Sequence, residues 1–367
     1  MPRPSCVEVD LDAIEANVRH LRALVAPAGV CVVVKADAYG HGDVPVAEAA
    51  VEAGADLLAV AIAEEGVRLR EAGIEAPILL LYEPPPRDAD DVVRWALTPT
   101  VYRPELVDVL AGSGIDVHLA VDTGMHRAGV DPEGAIDLGR AILDAGLGLV
   151  GTWTHLAAAE TDPAFTAHQL ERFGAVLEQL VAAGIDPGIR HAANSPGALA
   201  HPSARLDLVR IGLAAYGLSP DPRHREPGLQ PAMSVVSEVS FTRHLSAGER
   251  PSYGRVRPLP ADAVVATVPI GYADGYPRGL GAGFDVLVGG RRHPLAGTVT
   301  MDQILVDMGD AEVSVGDEVV LLGRQGDAEV TADEWAAALG TISYEVVSRL
   351  GARLPRRYVR RGGRDGR

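Results

Sequence analysis

The chain has 367 residues, 47% of them hydrophobic, and a formal net charge of −17; that size suits two domains, or one barrel with an appendage. So acidic a balance argues against a nucleic-acid or anionic-membrane partner, since both ask for basic surface, and no apolar run reaches the roughly 18 residues needed to cross a bilayer. Two cysteines, Cys6 and Cys31, are too few for a disulfide framework or a zinc site, eleven histidines show no metal-ligand spacing, and the N-terminus turns acidic without an apolar signal core, so a cytoplasmic protein without a metal is expected.

In chain order, residues 5–9 read as a first strand. Asp10-Leu11-Asp12 then opens a helix whose apolar stripe is Ile14, Val18, Leu21 and Leu24. Val32-Val33-Val34 reads as a buried strand. Lys35 stands where it ends, with Gly40 and Gly42 behind it for a tight turn. Strand candidates recur at 57–62, 78–82, 97–102, 117–121, 147–153, 188–193 and 206–211, alternating with helical stretches at 44–53, 63–72, 88–96, 104–111, 133–145 and 167–183. Gly54, Gly73, Gly146 and Gly184 supply helix C-caps. With the strand before Lys35 this makes eight strands alternating with helices, the pattern of an α/β protein built on a (β/α)8 TIM-type barrel, placed at 10–220. A doubly wound open sheet is the competing fold; no Gly-x-Gly-x-x-Gly turn follows the first strand to favour it. A Pro-rich polar linker runs from Ser219 to Gly228. Short segments at 234–243, 263–268, 285–288, 303–308 and 318–322 then predict a mostly β C-terminal domain at 229–367, which strand 5–9 would join. Thr331 to Glu334 is a capping box ahead of a helix at 335–339; 344–350 is a second helical patch, and the basic tail from Arg353 reads as a frayed, solvated end.

Barrels of this kind carry their chemistry at the C-terminal ends of the strands, and polar residues gather there. Lys35, at the mouth of an apolar strand, is partly desolvated, which favours a neutral amine able to form a Schiff base with a carbonyl; a solvated lysine at a strand exit is the bland alternative. Arg127, in a barrel-top loop, could grip a carboxylate bidentately or be a plain surface arginine. His155 ends an apolar strand, where a hydrogen-bonded core histidine is the commoner finding. Asn194 and Ser195 precede a short helix near Pro196, with Ser195 as N-cap and the helix start suited to a phosphate. Arg210 lies inside a buried strand and must be satisfied there. Tyr253, in Pro251-Ser252-Tyr253-Gly254, would on its own be packing.

The run Val33-Val-Lys-Ala-Asp-Ala-Tyr-Gly-His-Gly42 closely resembles the cofactor-lysine motif of alanine racemases, fold-type III pyridoxal-phosphate enzymes. The resemblance continues through Val121 to Gly129, Thr152 to Leu156, His191 to Ser195, Arg210 to Tyr216, Pro251 to Gly254, Ile270 to Pro277, Thr298 to Gln303 and Ile342 to Arg349, covering the chain from about Val7 to Tyr358. It implies that Lys35 carries pyridoxal 5′-phosphate and serves one face of the substrate Cα. Tyr253, supplied by the other subunit of a head-to-tail homodimer, would serve the opposite face. It further implies that Arg210 meets the pyridine nitrogen and that His155 belongs to a relay near the cofactor. Ser195 would both cap the helix and contact the phosphate, together with the Gly212 and Leu213 N–H groups, Tyr39 and Tyr344, with Asn194 also at the cofactor. Arg127 would hold the substrate carboxylate beside Met301 and Asp302, and Tyr272 would line the substrate's path.

Three positions depart from the family pattern. Ala120 stands seven residues before Arg127, where many members have a lysine, often carbamylated, that braces the arginine. Thr298 replaces a common arginine, and His126 replaces a usual small residue. The expected activity is racemisation of alanine, supplying D-alanine for peptidoglycan. Alternatives are a racemase of another or broader range (serine, lysine), a fold-type III decarboxylase, which would show an acidic partner for the pyridine nitrogen and a late cysteine motif, and a non-catalytic pyridoxal-phosphate carrier, which would resemble the barrel alone.

Overall fold

In the computed structural model, residues 4–221 and 225–360 are described. The chain up to Asp12 and from Pro231 onward forms one unit, and Ala13–Gln230 forms the other. Part of the expected linker (222–224) and the end of the basic tail (361–367) lie outside the described residues.

The chain starts with β1 (Cys6–Asp10) and passes into α1 (Leu11–Val25), whose buried face includes Ile14, Val18 and Leu21. Eight parallel strands then form one sheet: β2 (Gly29–Val33), β3 (Leu57–Val60), β4 (Ile78–Leu80), β5 (Thr98–Val101), β6 (Asp116–Ala120), β7 (Gly148–Trp153), β8 (Ile189–His191) and β9 (Leu208–Ile211). Each strand pairs with its predecessor through β8, and β9 pairs with β2. Two further backbone bonds, Asp207 N–H to Arg190 C=O at 3.1 Å and Arg210 N–H to Ala193 C=O at 2.9 Å, draw β9 to β8 and bring the sheet to a barrel. Between the strands lie α2 (Asp43–Glu52), α3 (Ala63–Glu71), α4 (Ala89–Arg94), α5 (Pro104–Leu110), α6 (Ala135–Asp144), α7 (Pro163–Ala182) and α8 (Ser195–Ala200). Strands of Val, Leu and Ala buried on both faces are what a helix-wrapped parallel sheet requires. Cys31, Val33, Leu57, Ala59, Leu79 and Leu208 pack in one cluster. A larger one around Val117, Leu119, Leu138, Ile142, Phe173 and Leu180 joins strands to helices. α7 begins four residues earlier than its periodicity predicts, because the Asp162 side chain accepts from the Phe165 N–H and Pro163 opens the first turn.

The other unit is mostly β. β10 (Met233–Glu238), β13 (Asp285–Val288), β14 (Arg291–Pro294), β16 (Glu318–Gln325) and β18 (Arg356–Val359) form a sheet with β1, in the order β14-β13-β16-β10-β1-β18, with β17 (Ala328–Val330) added on β16. β11 (Phe241–Leu245), β12 (Ala263–Val268) and β15 (Ile304–Asp307) form a second. The single segment expected at 234–243 is two strands in different sheets, broken at Val239-Ser240. The basic tail is not frayed where it begins: β18 runs parallel to β1, and Arg357 pairs with Glu8. The capping box holds as read, with Thr331 Oγ1 accepting from Glu334 N–H at 3.1 Å, and it opens α9 (Ala332–Leu339); α10 (Ser343–Ser348) follows. No helix among the described residues is long and apolar enough to cross a membrane.

Candidate active site

Lys35 sits at the carboxyl end of β2, half-buried, and begins an unusual turn. Ala36, Asp37, Ala38 and Tyr39 all have φ between 51° and 55°, a left-handed run of non-glycine residues. Each such residue costs about 1 kcal/mol or more, so the turn must be held from outside. Glu65 does this, accepting from Ala36 N–H and Ala61 N–H at 2.7 Å each, and Asp37 accepts from Asp43 N–H at 3.1 Å. The two glycines read in the sequence finish the turn; they do not start it.

Arg210, 3% exposed in β9, is satisfied by neutral acceptors. Nη1 donates to His191 Nδ1 (2.9 Å) and His191 C=O (3.3 Å); Nη2 donates to Thr154 C=O (2.8 Å), Ala192 C=O (3.1 Å) and His155 Nδ1 (3.3 Å). Nε makes no hydrogen bond among the described residues. Burial pulls the guanidinium down to about 10, which leaves it charged at neutral pH. Because arginine only donates, His191 Nδ1 must accept, so His191 Nε2 carries the proton and faces His118 Nδ1 at 2.9 Å. Burial and then Arg210 hold His118 down at about 4 and His191 well below 6.5. His155 falls to about 3 through burial, then Arg210, Arg127 and Lys35. All three are neutral imidazoles at pH 7. The Trp153 ring lies 4.6 Å from the Arg210 guanidinium carbon. No spacing along the chain marks the roles of His118 and Trp153, because their contacts span strands.

Ser195 is not the helix cap expected. Asn194 is, its side chain accepting from Gly197 N–H at 3.0 Å. Ser195 Oγ instead accepts from Gly212 N–H at 2.9 Å and Ala214 N–H at 3.4 Å, beside the buried Leu213. A Cβ on Gly212 would lie 2.5 Å from Tyr39 Oη, so only glycine allows that hydroxyl so close. Burial pushes the Tyr39 phenol up to about 12, keeping it protonated.

Arg127 lies in the loop after β6. Asp122 Oδ1 accepts from the N–H groups of Gly124, Met125 and His126 at 2.9, 2.9 and 3.1 Å, and Asp122 N–H bonds Val130 C=O, closing the loop on itself. His126 is at φ 55° and mostly exposed, 3.6 Å from Asp122 Oδ2. Tyr82, which sequence reasoning passed over, has its ring centroid 5.8 Å from both Lys35 Nζ and the Arg127 guanidinium carbon. The structure thus gathers Lys35, Tyr39, Arg127, His155, Asn194, Ser195, Arg210, Gly212 and Leu213 at the carboxyl ends of barrel strands.

In the other unit, residues 297–302 stitch two turns together. Ser252 Oγ donates to Thr298 C=O at 2.6 Å, and Thr298 Oγ1 donates to Tyr253 C=O at 2.9 Å, so Thr298 fastens the Tyr253 turn. Tyr272 N–H and Ala273 N–H donate to Thr300 and Met301 carbonyls at 3.0 Å each, through a Gly271 whose Cβ would strike Thr300 C=O at 2.3 Å. Asp302 is engaged by Arg353 at 2.8 Å, and Tyr344 stands in the first turn of α10.

Family models for the N-terminal and C-terminal domains of alanine racemase match residues 9–220 and 232–358. The chain belongs to the alanine racemase family. An alanine racemase of Symbiobacterium thermophilum is 47% identical, with 97% of each chain covered, and that of Thermobifida fusca is 42% identical over 96% of this chain and 97% of its own. Among solved structures, alanine racemase of Bacillus anthracis with bound L-Ala-P superposes with a TM-score of 0.91 at 39% identity, covering 99% of this chain and 96% of that one. Alanine racemase of Streptomyces lavendulae gives 0.91 at 38%, with 98% of each covered. This is an enzyme family of isomerases that work with pyridoxal 5′-phosphate. The residues present fit that group: an amine at a strand mouth, a buried guanidinium with one N–H to spare, and a Ser195 hydroxyl that accepts two backbone N–H groups and keeps its own proton to donate, beside a glycine that admits a tyrosine hydroxyl. Among the described residues no cluster of three or more His, Cys, Asp or Glu could hold a metal ion.

Proposed function

We propose that the chain interconverts L- and D-alanine with pyridoxal 5′-phosphate, that Lys35 and Tyr253 exchange the Cα proton across the two faces of the substrate, and that two copies share their active sites. The observation that carries this reading is Arg210, whose Nη atoms are spent on neutral acceptors while Nε keeps its N–H for the cofactor's ring nitrogen. Arginine does not surrender that proton. The bound cofactor would acidify the Cα–H as an electron sink moderated by an unprotonated ring nitrogen, which suits proton exchange better than loss of the carboxylate.

The chain's own residues divide the remaining work. Lys35 Nζ takes or returns the proton on one face, and Tyr253 Oη does so on the other. Arg127 grips the substrate carboxylate, with Met301 and Asp302 beside it and Tyr272 on the path in. Ser195, Gly212, Leu213, Asn194, Tyr39 and Tyr344 hold the phosphate. His155 stays neutral and accepts from Arg210, so it steadies that guanidinium and takes no proton itself. Tyr253 is 74% exposed on its own chain, which supports its donation to a second copy. A cytoplasmic location goes with the reading, since D-alanine would feed peptidoglycan precursors.

The test is a chiral assay in deuterated water of purified protein with cofactor and L-alanine, L-serine or L-lysine. Equal D- and L-alanine, each carrying deuterium at Cα, is the expected result. Faster turnover of serine or lysine would move the specificity, ethylamine with carbon dioxide would make it a decarboxylase, and no exchange with any amino acid would leave a carrier.

A further inference from the structure

We propose that Tyr82 is a positioning residue whose ring seats the Arg127 guanidinium beside Lys35, and so sets where a substrate carboxylate sits relative to the amine. This deepens the racemase reading and rests on it.

Arg127 Cζ and Lys35 Nζ each lie 5.8 Å from the centroid of the Tyr82 ring, inside the roughly 6 Å over which a ring face attracts a cation. Neither side chain makes a hydrogen bond or ion pair among the described residues. The groups that could otherwise hold Arg127 are committed or absent. The Asp122 carboxylate is taken up by three backbone N–H groups and faces His126. Ala120, from which the loop departs, is a buried methyl with nothing to offer a guanidinium.

Tyr82 is itself on a fixed support. The next residue, Glu83, is a buried carboxylate that accepts from Tyr102 N–H (2.6 Å), Arg103 N–H (2.9 Å) and Arg103 Nε (2.6 Å), tying the end of β4 to the end of β5. Pro84, Pro85 and Pro86 follow and restrict the backbone further. An aromatic face also differs from a carboxylate brace in what it leaves free. It orients the guanidinium without using its N–H groups and adds no negative charge, so the donor fork stays open to an incoming carboxylate.

The experiment compares the holoenzyme with Tyr82→Leu, which keeps apolar bulk and loses the ring, and Tyr82→Phe, which keeps the ring and loses the hydroxyl. Propionate, a carboxylate without an amine, reads Arg127 by competitive inhibition. Its inhibition constant and the KM for L-alanine are expected to rise about fivefold in Tyr82→Leu, with kcat changed by less than about threefold, and to return to within about twofold in Tyr82→Phe. Inhibition by alaninamide, which lacks the carboxylate, should not change. Cofactor absorbance and the thermal midpoint check that each variant is intact; Tyr82→Met, with the same expectation, replaces the leucine variant if that one loses cofactor. Unchanged propionate inhibition in Tyr82→Leu, an equal rise in the leucine and phenylalanine variants, or a fall in kcat alone would each overturn the proposal. Failure of the racemase reading is distinguishable, because the unsubstituted chain would then show no exchange at Cα.

Discussion

In the barrel unit the proposed site is embedded: Arg210 is 3% exposed, Ser195 2%, and Leu213 fully buried. In the other unit Tyr253 is 74% exposed, Met301 53% and Tyr272 43%. The first set is positioned by burial, because a charge or hydroxyl taken from water must find fixed partners. The second set is positioned through its backbone, by Thr298, Thr300 and Met301, while its side chains stand in solvent. Substitutions in the barrel should therefore disturb folding as well as activity, whereas substitutions in the other unit should act on activity alone.

The sharpest break of that comparison is in the two acid–base groups. Lys35→Ala should lower racemisation roughly ten-thousand-fold or more, and Tyr253→Phe roughly a hundredfold to ten-thousandfold, both by chiral assay. The thermal midpoint of Tyr253→Phe should match the parent, and a clear drop would contradict its exposed placement. Mixing the two inactive variants under conditions that exchange subunits should restore roughly one quarter of the parent activity, since half the dimers would be hybrids with one intact site of two. No recovery would remove the shared site.

Arg210→Ala strands the His191 nitrogen and the Thr154 and Ala192 carbonyls, so it should cost about 3 kcal/mol in denaturant unfolding. The equivalent loss in Met301→Ala should be within about 0.5 kcal/mol.

A weaker effect comes from the buried histidines of the barrel. His118 and His155 are held at about 4 and about 3, below their ordinary 6.5, so the unfolded chain binds more protons than the folded one between those values. Stability from these groups is full above about pH 6.5 and is lost as pH falls toward 4. The urea midpoint should fall between pH 7 and pH 5, and His118→Gln should flatten that slope.

Much of the barrel was legible because its signals are local. Alternating apolar runs and helical stripes, with glycine at helix ends, mark eight strands and their helices, and the Lys35 motif could be placed at a strand mouth from sequence spacing. What stayed hidden involved choices between local and distant partners. Ser195 and Asn194 are both good caps by type; the choice fell to Asn194 because Ser195 is drawn to Gly212 and Ala214, whose N–H groups arrive from another strand. The run from 234 to 243 reads as one strand, yet its halves join different sheets. Arg356 to Val359 looks like a solvated basic tail until β1 offers it a parallel edge and Glu8 a countercharge.

By itself the amino-acid sequence determined the barrel, the β-rich remainder and the family, and it named the residues proposed for the chemistry, since periodicity and motif are properties of neighbours along the chain. Only the tertiary structure decided how those residues are held. The Arg210–His191–His118 series, the Glu65 clasp on a left-handed turn and the Tyr82 ring near both Lys35 and Arg127 each join groups from different elements. Their partners are chosen by closure of the sheet, which no spacing along the sequence records.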